Sequence, residues 1–358
     1  MPVKQITIFC IGCIKAYEQT QRINLADAAI QTEKITKKYD GLTAVDSVDI
    51  TVEKGELFGL LGPNGAGKST LIGMLSTMIR PSSGNASVWG YDIRSDPTKV
   101  RKSIGVVFQD TTLDQKLTGR ENLDLHGRLY GLPKKLRHQR IREVLELVEL
   151  SQWEDEIVQK YSGGMMRRLE IARGLMHHPN VLFMDEPTLG LDPQTRNHIW
   201  DYIKELNREK SITIILTTHY MEEADRLCKR LAIIDHGKII ARGTPQELKS
   251  ALGGDILTLE LATTEDAGKL AEHYKANPSS GSISASDNIV KITTADGERT
   301  IPEVLKITSQ LDLDIRSVSL HKPTLDDVFL HHTGKGIRDA ESGAGTMKTL
   351  RRRSRAGK

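Results

Sequence analysis

The chain has 358 residues, 27% of them charged and 38% hydrophobic, and a net charge of +3. That balance fits one large or two to three modest soluble domains, and so small a net charge does not by itself imply a nucleic-acid partner. Three cysteines, Cys10, Cys13 and Cys228, cannot build a disulfide framework, and no apolar run reaches the roughly 18–20 residues of a spanning helix.

The first segment, residues 1–28, does not share the pattern of the rest and reads as an N-terminal extension. Its apolar run Ile6–Ile14 is preceded only by Lys4 and lacks a small-residue cleavage pattern, so it makes a poor signal peptide. Cys10 and Cys13 form a C-x-x-C without a second pair at zinc spacing. From Ala29 the pattern becomes regular. Ile30 to Thr36 reads as a strand, Tyr39-Asp40-Gly41 as a turn, and Val45 to Val52 as a half-buried strand. Tyr39 has two readings: a surface tyrosine, or a platform on which an adenine ring stacks.

Leu57 to Leu61 reads as a buried strand. It leads into Gly62-Pro63-Asn64-Gly65-Ala66-Gly67-Lys68-Ser69-Thr70, which fits G-x-x-x-x-G-K-[ST]. Leu71, Ile72, Met74, Leu75 and Met78 then recur at helical spacing. Strand, glycine-rich turn and helix is the context the motif needs. Glycines let backbone N–H groups approach a phosphate, and the helix start adds partial positive charge. Lys68 supplies a full charge and Ser69 a hydroxyl for Mg²⁺. The motif alone says nucleoside triphosphate and no more.

Ala86 to Trp89 and Ile104 to Phe108 read as strands, the second ending at Gln109. Residues 110 to about 160 hold no strand-like run. Arg120 to Tyr130 and Arg137 to Val148 read as amphipathic helices with Leu123, Leu125, Leu129, Ile141, Val144, Leu145 and Val148 as the apolar set. This is a helical insertion in an α/β domain. It ends at Tyr161-Ser162-Gly163-Gly164, either a plain N-cap or a second anion site. Val181 to Glu186 is an apolar strand closing on two carboxylates. Asp185 is placed to hold Mg²⁺ through its water, and Glu186 to orient or deprotonate an attacking water. Asp192 precedes a helix at 194–209. Ile212 to Leu216 reads as another buried strand and ends at Thr217-Thr218-His219. Leu231 to Ile234 and Lys238 to Ala241 read as a hairpin.

Taken in order, these residues resemble the nucleotide-binding subunit of an ABC transporter over about 30–250. Tyr39 matches the adenine-stacking loop, Gly62 to Thr70 the Walker A loop and Gln109 the Q-loop. Ser162-Gly163-Gly164 matches the signature motif, with Tyr161 where leucine is commonest. Asp185 and Glu186 match Walker B and the catalytic glutamate, Leu191-Asp192 the D-loop and His219 the H-loop. Tyr161 to Met165, the run Thr217 to Asp225 and the ending Pro323 to Leu330 look more narrowly like the daunorubicin-resistance branch, associated with drug and lipid export.

The resemblance implies an α/β P-loop NTPase fold with a RecA-like core, an antiparallel β subdomain and a helical subdomain at about 110–170. It implies ATP binding by Tyr39, Val45, Gly62, Pro63, Asn64, Gly65, Ala66, Gly67, Lys68, Ser69 and Thr70. It assigns Mg²⁺ to Ser69, Gln109 and Asp185, and catalysis to Glu186, His219 and Lys68. The signature of one chain, Ser162, Gly163 and Gly164, would face the phosphate loop of a second, giving a homodimer. A separate transmembrane permease would carry the cargo, with no specific nucleic acid and with the chain on the cytoplasmic face of the membrane. Two rival classes stand beside this reading. One is a soluble ABC-type ATPase acting on nucleic acid or ribosomes, whose members usually carry two cassettes or a long coiled coil, neither of which is present. The other is a non-catalytic ATP-binding module, against which Glu186 and His219 argue.

Beyond the ATPase domain at 29–250, a short helix from Thr244-Pro245 leads to residues 255–332. These read as strand (Ile256–Leu261), helix (Glu265–Ala276), strand (Asn288–Thr293), helix (Pro302–Gln310) and strand (Ile315–Ser319), with a short extra strand near Gly281–Ala285. That is a small βαββαβ-like α+β domain, serving regulation or dimer contact, or simply packing. From residue 333 a basic tail with Arg351, Arg352, Arg353 and Arg355 reads as disordered.

Overall fold

A computed structural model describes residues 28–276 and 282–333. The C-x-x-C segment and the basic tail lie outside the described residues. In chain order the strands and helices of the first part are β1 (Ala28–Tyr39), β2 (Leu42–Val48), β3 (Thr51–Glu53), β4 (Leu57–Leu61), α1 (Lys68–Leu75), β5 (Ser83–Val88), β6 (Tyr91–Asp92), α2 (Pro97–Ser103) and β7 (Ile104–Val107). Then come α3 (Gly119–Leu129), α4 (Lys134–Leu147), α5 (Gly163–Leu175), β8 (Val181–Asp185), α6 (Pro193–Lys210) and β9 (Thr213–Thr218). The chain continues through α7 (Met221–Leu227), β10 (Arg230–Asp235), β11 (Lys238–Gly243), α8 (Pro245–Ser250), β12 (Asp255–Leu261), α9 (Thr264–Ala276), β13 (Ser282–Ser286), β14 (Ile289–Thr294), α10 (Gly297–Gln310), β15 (Ile315–His321) and α11 (Leu325–Thr333).

Two compact units divide these elements. The first takes 28–60, 65–218 and 234–239, and the second takes 61–64, 219–233 and 240–333. The first unit holds an antiparallel sheet ordered β2-β1-β5-β6, with β3 also on β1. A second sheet runs β4-β9-β8-β7, and its β7–β8 and β8–β9 pairs are parallel. Every residue of β8 and β9 is buried, which is why both read as unbroken apolar or threonine runs rather than alternating ones. Helices α3 and α4 form the insertion.

The expected single strand Val45–Val52 is two strands. Thr32 is the cause: its hydroxyl donates to Val48 O at 2.9 Å and accepts from Ile50 N at 2.8 Å, replacing ladder bonds at the break. Met78 lies past the end of α1 and is 54% exposed, and Leu129 at the end of α3 is 76% exposed. Helical spacing names a face without saying what covers it.

In the second unit an antiparallel sheet ordered β13-β14-β12-β15 carries the βαββαβ order read from sequence. Leu257, Leu259, Leu261, Leu270, Val290, Ile292 and Val304 make its core. Helix α10 starts at Gly297 rather than Pro302, because Asp296 caps it by accepting from Arg299 N at 3.2 Å. The proline sits inside the helix, where its missing N–H removes one ladder bond. Pro323-Thr324 opens α11, a helix not read from sequence, in which Asp327 accepts from Thr324 N at 3.0 Å.

Candidate ATP-binding and hydrolysis site

Strand register brings the acidic pair to the lysine. Asp185 stands opposite Thr217 across β8 and β9. Thr217 Oγ1 donates to Asp185 Oδ1, and Glu186 N donates to Thr217 O at 3.1 Å. Glu186 has φ 47°, a left-handed backbone that residues with side chains rarely adopt. That turn ends the strand and directs the second carboxylate to Lys68, whose Nζ lies 3.2 Å from Glu186 Oε1 with both side chains buried.

The phosphate loop is built for close approach. Gly67 has φ 109°, and a Cβ there would lie 2.4 Å from Ala44 O, so only glycine fits. As the cap of α1 it offers no side-chain acceptor to the first turn. Ser69 is exposed beside it. The turn between β10 and β11 braces the loop from behind. Gly237 N donates to Ala66 O at 2.9 Å, and Gly237 O accepts from Asp46 N at 2.8 Å. Lys238 Nζ adds an ion pair to Asp46 at 3.3 Å. Sequence reading missed this brace, because a His-Gly turn leaves no mark that says what it touches.

Val45, expected at the nucleotide, is fully buried, its Cγ2 packed against Gly67. Tyr39 ends β1 half-exposed, with Lys37 Nζ 4.9 Å from the ring centroid. Gln109 is exposed just past β7. Gly62, Pro63 and Asn64 belong to the second unit, as does His219, whose ring lies 4.1 Å from that of Tyr220.

Ser162 caps α5, its Oγ accepting from Met165 N at 3.2 Å, and it is exposed together with Gly163. A Cβ on Gly164 would meet Thr195 Cγ2 at 2.6 Å. The glycine therefore lets the tip of α5 rest directly on the start of α6. Asp192 caps α6 by accepting from Thr195 N at 3.0 Å, and the bonds from Thr195 hold its carboxyl below the usual range. Tyr161 is buried, its hydroxyl donates to Trp153 O at 2.7 Å, and burial pushes its pKa up to about 12. A leucine in its place would leave that carbonyl without this donor.

Two features escaped the sequence reading. Arg167 and Glu170 form a buried ion pair on α5 at 2.9 Å, joined to the ends of β7 and β8. Beside Gln109, a cavity of about 270 Å³ is lined by Phe108, Thr112, His126, Tyr130, Arg173 and His177. Tyr130 stacks on His177 at 3.9 Å, and burial lowers His126 to about 4. No helix among the described residues is long and apolar enough to cross a membrane.

Comparison with known proteins identifies the family. A family model described as "ABC transporter" matches residues 45–189, and one described as "ATP-binding protein DrrA1-3-like, C-terminal domain" matches 243–333. The daunorubicin/doxorubicin resistance ATP-binding protein DrrA of Streptomyces peucetius is 42% identical over 86% of this chain and 92% of its own. The linearmycin resistance ATP-binding protein LnrL of Bacillus subtilis is 41% identical over 87% of this chain and 100% of its own. The structure titled "Dimeric Structure of MJ0796, a Bacterial ABC Transporter Cassette" superposes with TM-score 0.54 at 29% identity, covering 60% of this chain and 98% of that one. The branch read from Tyr161 to Met165 and Pro323 to Leu330 is borne out by the C-terminal match and by these relatives. The chain belongs to the ABC transporter family, as an ATP-binding subunit that hydrolyses ATP.

Proposed function

We propose that this chain grips ATP between its own phosphate loop and the signature tip of a second copy, and that hydrolysis powers export of a hydrophobic or drug-like compound through a separate permease. The buried Lys68–Glu186 pair carries the reading of the site. A triphosphate is a stronger partner for the ammonium than one carboxylate. When it enters the loop, Lys68 turns to the β- and γ-phosphates, and Glu186 is released to orient or deprotonate the attacking water. Asp185 stays fixed by Thr217.

The residues present fit Mg²⁺. Ser69, Gln109 and Asp185 offer a hydroxyl, an amide oxygen and one carboxylate, and a hydrated hard cation shared with phosphates asks for no more. Bound there, the ion would neutralise charge on the phosphate oxygens. Tyr39 is the adenine platform, and His219 senses the γ-phosphate.

The exposed Ser162 and Gly163, with Gly164 set on the α6 cap, support a trans contact, since the Gly163 and Gly164 N–H groups at the helix start gain a partner when a γ-phosphate arrives, while Met165 N stays on the Ser162 cap. The dimeric MJ0796 cassette is a precedent among similar structures. The cavity beside Gln109 lies against α3, and we assign it to a cytoplasmic segment of the permease. With that partner the chain sits at the cytoplasmic face of the membrane. The resistance relatives support export of a drug-like cargo. Residues 29–250 are the ATPase domain, and 255–332 form a separate module for regulation or dimer contact.

Purification from detergent-solubilised membranes tests the assignment. A multispanning protein that co-purifies and raises ATP turnover is expected. ATPase stimulated by nucleic acid or ribosomes, with no membrane partner, would overturn it.

A further inference from the structure

In the two-copy arrangement proposed above, on which this inference rests, the signature tip and the hydrolytic carboxylates of one chain serve different ATP sites. A side chain bonded to both regions would link those sites. Arg167 is placed to do so. It lies on α5 just past the Ser162 cap and is buried. Its guanidinium donates to Pro187 O at 2.6 Å, to Phe108 O at 2.6 Å and to Asp185 O at 3.2 Å. It also donates to Glu170 Oε2 at 2.9 Å, and the other oxygen of Glu170 accepts from Thr112 N at 2.7 Å.

Asp185 and Pro187 flank Glu186. Phe108 immediately precedes Gln109, and Thr112 lies three residues after it. The peptides around Glu186 and Gln109 are therefore held by one ion pair rooted in the signature helix. A planar guanidinium with five donors can hold three carbonyls and a carboxylate at once, and an ammonium on a flexible stem cannot. Three carbonyls do not neutralise a buried cation, so Glu170 supplies the counter-charge.

We propose that Arg167, with Glu170 as its counter-ion, is a positioning residue that couples the two ATP sites of the dimer. When the signature tip docks on a triphosphate of the partner, α5 becomes fixed. Arg167 then fixes the backbone around Glu186 and Gln109 in the chain's own site. Occupancy of one site thereby favours the hydrolytic geometry of the other. The contact of Gly164 with Thr195 reaches the α6 cap and none of these carbonyls.

The test uses the full chain and its Arg167→Lys and Glu170→Gln variants. ATP turnover is measured against ATP concentration, with nucleotide stoichiometry, and dimerisation is measured in a Glu186→Gln background. The expected result is a Hill coefficient approaching two in the parent, the ceiling for two sites, and about one in either variant. Turnover should fall about tenfold with KM within about threefold, one nucleotide per chain and the dimer still formed. A merely structural role would lower stoichiometry and turnover together and leave the Hill coefficient alone, which would overturn the proposal. So would a parent Hill coefficient of about one. If Glu186→Gln stays monomeric in ATP, the two-copy reading fails and takes the coupling with it. If the dimer forms and cooperativity survives both substitutions, the coupling alone fails. Should Arg167→Lys not fold, Glu170→Gln, which keeps the shape and removes the charge, decides the matter.

Discussion

Gly164→Ala separates the packing role of one glycine from the phosphate-facing role proposed for it. The added methyl would sit 2.6 Å from Thr195 Cγ2, about an ångström inside ordinary contact. Thr195 cannot simply rotate away, because its hydroxyl as well as its N–H, at 3.0 Å, is tied to the Asp192 carboxylate. Overpacking of this kind costs about 1–3 kcal/mol, and the entropy gained by replacing a helical glycine returns about 0.5–1 kcal/mol. The difference spans about 0–2.5 kcal/mol and centres on a net loss of about 1 kcal/mol, read as a lower urea midpoint at unchanged m-value. In a Thr195→Ser background the obstructing methyl is gone, so Gly164→Ala should become neutral or stabilising by up to about 1 kcal/mol. ATP-driven dimerisation, measured with Glu186→Gln present, should not recover in the double variant, because the methyl still stands at the tip that must meet a phosphate. If stability is not restored by Thr195→Ser, the packing argument is wrong. If dimerisation is restored along with stability, the tip does not touch the triphosphate.

Four further expectations follow from the same geometry. Lys68→Ala should weaken nucleotide binding by at least about 100-fold by titration calorimetry, and unchanged affinity would remove the loop from phosphate binding. Glu186→Gln should keep ATP binding, lower turnover by about 10²–10⁴ and accumulate a dimer on size exclusion; a monomer that hydrolyses normally refutes both roles. Tyr161→Phe should cost about 1 kcal/mol of stability through the lost bond to Trp153 O, with ATP affinity unchanged, and an unaltered unfolding midpoint would contradict this. His126 is held neutral by burial at a pKa of about 4 against 6.5 when unfolded. Its contribution is complete above pH 6.5 and is lost as pH falls towards 4, about 2 kcal/mol at pH 5. His177 is shifted in the same direction, so His126→Gln should flatten the acid-side slope of stability without abolishing it. A slope identical to the parent's would refute the burial argument.

The sequence made the site legible wherever a side chain's chemistry was its own signal. Lys68, Asp185 and Glu186 stand at the ends of their strands and helix as expected, and Ser162 caps α5, because the chemistry expected of each restricts the residue type. Strands β8 and β9 were legible because burial on both faces leaves continuous apolar runs. What escaped depended on partners that leave no trace in composition. Arg167 acts through carbonyls, which every residue possesses. Leu125 and Leu129 lie at apolar helical spacing, yet spacing does not reveal that both are largely exposed. Pro302 looked like a helix start because that is where proline usually sits, and the cap at Asp296 overrode it.

The turn at Gly237 has a consequence for the order of synthesis. Ala66 O and Asp46 N both bond to a residue made long after them. A ribosome that has finished the glycines, Lys68 and even both carboxylates has still not delivered the piece that seats them. The loop therefore goes without this brace until the late hairpin leaves the exit tunnel, and a transcript cut short before it yields the motifs on a frame that lacks these two bonds.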